Sequence, residues 1–99
     1  PGVTGISSNP IEKIYIASPN PFSNYTRFKR PAEVSRDSKL EVYNTNGQLI
    51  KSFSFADSDE IVWNGSDAGN QFVPNGLYVY KIRDTRNSSG FTGKVILKR

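Results

Sequence analysis

In Asn64 to Tyr80, NGSDAGNQFVPNGLYVY, turn chemistry gives way abruptly to strand chemistry. The first half sets Asn64-Gly65, Asp67-Ala68-Gly69 and Pro74-Asn75-Gly76 in close succession, directly after the only tryptophan, Trp63. Asn and Gly reach positive φ at low cost and Pro presets φ for a turn, so this is a long, shaped connection in which the chain reverses. From Gly76 to Arg83 the pattern has period two. Tyr78, Tyr80 and Ile82 share one face and Leu77, Val79 and Lys81 the other, as in a half-buried strand whose apolar side rests on a core.

Six more segments outside that strand read the same way. Ile11 to Ala17, IEKIYIA, is β-branched and aromatic between Pro10 and Ser18-Pro19 and predicts a first strand. Ser18 to Asn24, SPNPFSN, then breaks regular structure, because its prolines remove two backbone donors and push the preceding residues toward extended geometry. Phe22 is expected to plug this stiff corner into the core. Tyr25 to Arg30 predicts a strand with Thr26 and Phe28 inward, and Ala32 to Asp37 a polar connection. Lys39 to Thr45 and Gln48 to Phe55 flank Asn46-Gly47, a dipeptide that between alternating segments signals a two-residue hairpin of type I′, with φ above zero at both residues. Leu40 and Val42 face inward on its first arm; Leu49 or Ile50, with Phe53 and Phe55, supply the second. Glu60 to Trp63 is a short strand. Gly90 to Lys98 is the last, with Val95 and Leu97 on one side and Lys94, Ile96 and Lys98 on the other.

No window of helical length keeps apolar residues at i, i+3, i+4 and i+7 without Gly or Pro. The expected fold is therefore all-β, an immunoglobulin-like seven-stranded antiparallel β-sandwich over residues 11–99, preceded by a Gly, Ser, Asn and Pro linker at 1–10. Trp63, Phe28, Leu40, Val42, Tyr78, Tyr80 and Val95 are expected inside it.

Composition excludes much. The chain has 99 residues, enough for one domain. It has no cysteine and no histidine, which removes disulfides, thiolate metal sites, the commonest general base and the commonest transition-metal ligand. Serines are plentiful, but none sits in a G-x-S-x-G elbow. Catalytic, cofactor-binding and metal-binding residues are accordingly expected to be none. The acidic turn at Asp57 to Glu60, with Asp67 nearby in sequence, lacks the alternating oxygens and central Gly of a dedicated calcium loop and reads as a solvated turn. No apolar run approaches the roughly 20 residues needed to span a bilayer. The amino terminus lacks the layout of a signal peptide, so the chain reads as a soluble, excised piece. The net charge is +4, but the cations are scattered from Lys13 to Arg99 and read as solvated surface rather than a phosphate track. GFTGKVIL at 90–97 faintly echoes the aromatic strand of RNA-recognition modules without the helices that fold requires, and a barrel presenting Tyr25 and Phe28 to single strands is the other nucleic-acid reading.

Taken together and in order, SPNPFSN at 18–24, LEVYNTNGQLIKSF at 40–53, WNGSDAGNQFVPNGLYVYKI at 63–82 and GKVILKR at 93–99 resemble the C-terminal sorting domains of type IX secretion substrates. They are also similar to the immunoglobulin-like domain of the flagellar hook-capping protein FlgD. The resemblance implies a non-catalytic address label found in Bacteroidetes-type bacteria. It would carry an amino-terminal cargo, such as a secreted protease, through the periplasm, and be recognised by the outer-membrane translocon and its shuttle β-barrel. A cell-surface sortase would then release it, leaving the cargo on the cell surface or secreted. The family's motif positions fall here on Pro19, Asn20, Pro21 and Phe22, on Gly47, on Gly76 and Tyr78, and on Lys94, Lys98 and Arg99. A last strand with free edge groups and a basic end could be read by strand addition or by an acidic cleft, with no small-molecule substrate and no nucleic acid. The competing reading is a structural or adhesive accessory domain of a larger extracellular enzyme, with no signal role.

Overall fold

Seven strands form where the period-two segments lie. A computed structural model of the chain describes residues 16–84 and 90–99. The strands are β1 (Ala17–Ser18), β2 (Thr26–Lys29), β3 (Lys39–Tyr43), β4 (Leu49–Ser54), β5 (Glu60–Trp63), β6 (Gly76–Arg83) and β7 (Gly90–Leu97). Most of the expected first strand, and the expected linker, lie outside the described residues.

The strands build two antiparallel sheets, β1-β2-β5 and β4-β3-β6-β7, with one buried face each. Alternation decides which side that is. In β6, Tyr78, Tyr80 and Ile82 are buried while Leu77 and Lys81 are exposed; in β2, Thr26 and Phe28 are buried between exposed neighbours. The seven residues expected inside are all buried, Phe28, Leu40, Val42 and Val95 completely. Aromatic rings join the sheets across the core. Phe28 meets Tyr80 edge-on at 5.0 Å between centroids, and Trp63 meets Tyr78 in the same way at 5.5 Å, arrangements that suit the ring quadrupoles. The indole N–H of Trp63 donates to Ser66 O at 2.8 Å, which satisfies the one polar atom its burial would otherwise strand.

Two local expectations are corrected and a third is resolved. The β3–β4 hairpin is not a type I′ turn. Asn46 stays at negative φ and only Gly47, at 84°, is left-handed. Asn44 accepts from Gly47 N–H through its carbonyl, and its side-chain oxygen accepts from the N–H groups of Asn46 and Gln48. That side chain lengthens the turn to a three-residue loop closed by a left-handed glycine, a common alternative to the two-residue form. Of the pair Leu49 and Ile50, Ile50 is the one that packs against the core; it is an extra residue in β4 opposite the Val42–Tyr43 step, which turns Leu49 to the outer face beside Tyr43. Finally, the polar connection at Ala32 to Asp37 hides a core residue. Val34 is buried, and its carbonyl accepts from the guanidinium of Arg30.

Candidate functional site

Strand register gathers the sequence-predicted site residues at one end of the four-stranded sheet. Gly76 pairs with Leu97, Tyr78 with Val95, and Val79 with both Tyr43 and Lys94. The start of β6, the end of β7 and the β3–β4 hairpin therefore share that end. Gly47 lies at the hairpin tip with open space where a side chain would start, and no hydrogen bond joins it to the other candidates.

The Pro19–Phe22 corner reaches this end through hydrogen bonds that run far across the sequence. The Ser18–Pro19 and Asn20–Pro21 peptide bonds are both cis. Asn20 uses its side-chain amide as a substitute peptide group: Nδ2 donates to Lys94 O at 3.1 Å, and Oδ1 accepts from Ile96 N–H at 2.9 Å. Phe22 continues with its backbone, donating to Ile96 O at 2.9 Å and accepting from Lys98 N–H at 2.8 Å. The buried hydroxyl of Thr26 donates to Pro19 O at 2.8 Å and holds the corner from beneath. The ring of Phe22 is buried 5.4 Å from Trp63, so the expected plug is present. The expectation of free edge groups on the last strand is corrected between Lys94 and Lys98, where Lys94 O, both backbone groups of Ile96 and Lys98 N–H are taken by this corner.

The basic end is built in as well. Asn75 grips the backbone of Arg99 from both sides, accepting from its N–H at 3.0 Å and donating to its carbonyl at 3.2 Å. The guanidinium of Arg99 donates to Asn64 O at 2.9 Å and Val73 O at 3.1 Å, and lies 4.5 Å from the centre of the exposed Phe72 ring. Arg99, although exposed like Lys94 and Lys98, therefore ties the 64–76 loop to the end of β7. Tyr78 lies under the same loop. Its hydroxyl donates to Pro74 O at 2.6 Å, and burial pushes its phenol up from the usual range, against a smaller lowering by Arg99. Asn75 and Phe72 belong to this site and are missing from the sequence-derived set. The turn signal Pro74-Asn75-Gly76 marked Asn75 only as a bend, and its partner is distant in sequence.

The other chemistry weighed in the sequence finds other uses. Asp59 of the acidic turn pairs with Arg30 at 3.0 Å and Arg36 at 3.1 Å, and Oδ1 of Asp67 accepts from Gly69 and Gln71 N–H inside its own loop. No three acidic side chains converge among the described residues. Phe28 is fully buried and offers a base no stacking surface, Phe91 is partly buried against the core, and Tyr25 is exposed with its ring taken up by Arg27 at 5.1 Å.

Residues 13–98 match the protein family described as the secretion system C-terminal sorting domain. No curated protein matches the chain in sequence. Among solved structures the fold is similar to part of PorZ, an essential bacterial surface component of the type-IX secretion system of human oral-microbiomic Porphyromonas gingivalis. The TM-score is 0.68 at 18% identity, over 84% of this chain and 11% of that one. The chain thus spans about a tenth of PorZ, and at that identity the likeness is one of fold.

Proposed function

The chain belongs to the family of secretion-system C-terminal sorting domains, the non-catalytic signals of type IX secretion, and on that premise we propose that its address is a folded corner rather than a loose basic tail. Membership of the family implies export to the cell surface or secretion. One observation carries the finer reading: the end of β7 is hydrogen-bonded by Asn20 and Phe22 along its edge and by Asn75 at its tip. A receptor approaching Lys94, Lys98 and Arg99 therefore meets them on a fixed surface together with Pro19, Asn20, Pro21 and the 64–76 loop. Fixed groups bind at a lower ordering cost than a flexible segment does.

In this reading the domain follows a cargo, which can be an enzyme, and travels with it through the periplasm. The outer-membrane translocon and its shuttle β-barrel recognise the corner, and a surface sortase cuts before the domain. The test fuses residues 10–99, or residues 90–99 alone, to an unrelated periplasmic protein in a bacterium that has the system. The longer fusion should reach the surface and the shorter should not. Surface display of the shorter fusion would defeat the folded-corner reading. Retention of the longer one in the periplasm, with the domain folded, would leave an accessory role in its place.

A further inference from the structure

Cations scattered along the sequence are gathered by the fold onto the outer face of the four-stranded sheet. Paired residues point to the same side of a sheet, so the register places Lys39, Lys81, Arg83 and Lys94 on this face, and Lys98 continues the alternation past buried Leu97. Against these five cations stands one carboxylate, Glu41, which is already engaged by Arg83 at 2.9 Å and by the hydroxyl of Tyr43 at 2.7 Å. Elsewhere among the described residues six cations are balanced by seven carboxylates. The sequence expectation of dispersed charge is corrected accordingly: the excess lies on one face, where no described carboxylate forms an ion pair with Lys39, Lys81, Lys94 or Lys98.

The lysines frame apolar surface. Leu77 pairs across the ladder with Ile96, and Val79 with Tyr43; Leu77 is 38% exposed and Ile96 41%. A centre of aliphatic and aromatic side chains with a charged rim is the layout of a protein-docking surface. A phosphate polymer would neutralise the rim but leave Leu77 and Ile96 wet, because it has no apolar part to cover them. We propose that this face docks an acidic protein surface with an apolar centre, presented by the export machinery. The proposal rests on the sorting function above and names the chemistry of the partner. Lys94 and Lys98 stand on the strand whose edge carries the Asn20 and Phe22 contacts, so one partner can span face and corner.

The experiment uses the fusion carrying residues 10–99. Lys81→Ser with Lys94→Ser should leave the melting curve unchanged and lower surface display roughly tenfold. Arg27→Ser with Lys29→Ser, on the outer face of the other sheet, should leave display unchanged. A photo-crosslinking amino acid at Leu77 should form an adduct with an acidic outer-membrane protein, and one at Val62 on the other sheet should not. Normal display of the Lys81/Lys94 variant overturns the proposal, as does an adduct at Leu77 with nucleic acid or polysaccharide only, or no adduct while the fusion is exported. Retention of the unmodified fusion in the periplasm would instead deny the sorting function itself, and this inference with it.

Discussion

The ring of Tyr80 lies across Gly93, its partner in the β6–β7 ladder, so closely that a Cβ on Gly93 would overlap the phenol oxygen and the ring. Tyr80 cannot easily retreat, since it is buried edge-on to Phe28. Gly93→Ala should therefore cost about 1–3 kcal/mol, the usual range for overpacking. In a Tyr80→Ala background the same substitution should cost much less. A double-mutant cycle by urea denaturation that shows no coupling between the two sites would mean that the ring does not fill the glycine's space.

Alkali should weaken the fold. Burial pushes the phenols of Tyr80 and Tyr78 up, and a hydrogen bond to Glu41, with burial second, does so for Tyr43. An acid whose folded pKa exceeds its unfolded value, about 10 for Tyr, contributes stability that is complete below the unfolded value. That contribution is lost as pH rises through the folded one. Urea midpoints should hold steady from about pH 7 to 9 and fall above about pH 10, less steeply in Tyr80→Phe. Identical slopes in the variant and the parent would remove Tyr80 as a source.

Arg99 and Lys98, adjacent and both basic, should behave differently. Lys98→Ser removes an exposed charge with no ion pair among the described residues and should change stability by no more than about 0.5 kcal/mol. Arg99→Ser removes bonds to the carbonyls of Asn64 and Val73 and the contact with Phe72, and should cost about 1 kcal/mol or more. Thermal melts of the two single variants test this, and equal melting temperatures would show that the guanidinium contacts contribute nothing.

The hairpin offers a similar contrast between neighbours. Gly47→Val places a β-branched residue at a φ of 84° and should cost about 1–2 kcal/mol. Asn46→Ala, at negative φ, should be nearly neutral, whereas a turn with both residues left-handed would make that substitution costly as well. A large loss at Asn46 would restore the two-residue turn.

Trp63→Ala empties the space beneath Phe22 and Tyr78 and should cost about 3–5 kcal/mol. Calorimetry that places the loss below about 1 kcal/mol would be incompatible with a buried indole.

The strands were legible because each carries its own evidence. Alternation in Thr26–Lys29, Gly76–Arg83 and Gly90–Leu97 names the buried face without reference to any neighbour. What stayed hidden depends on which strands become neighbours. Lys39, Arg83 and Lys94 share a face only because β6 lies between β3 and β7, and no local pattern fixes that order. Asn20 and Lys94 are 74 residues apart, and a short polar side chain between two prolines reads as a bend until its partners are known. The turn at Asn46-Gly47 departs from its local signal for a nearer reason. The Asn44 side chain competes for the same N–H groups as the ladder, which propensity for the central pair does not register. The burial of Val34 leaves no mark in the sequence, because one apolar residue among polar and charged ones has no periodicity to announce it.

The contacts of Asn20 and Phe22 with Lys94 to Lys98 bear on how copies of this domain behave in one another's company. The border strand of a sheet is where two β-proteins zip together, since its outward N–H and C=O groups template another chain. Here that stretch is already closed, and what closes it cannot serve as the next template. Pro19 and Pro21 have no N–H to offer, and Asn20 meets the strand with its side chain. A segment that looks like a recognition motif thus also acts as a stopper against polymerisation, so substitutions in it should be scored for fibres as well as for lost recognition.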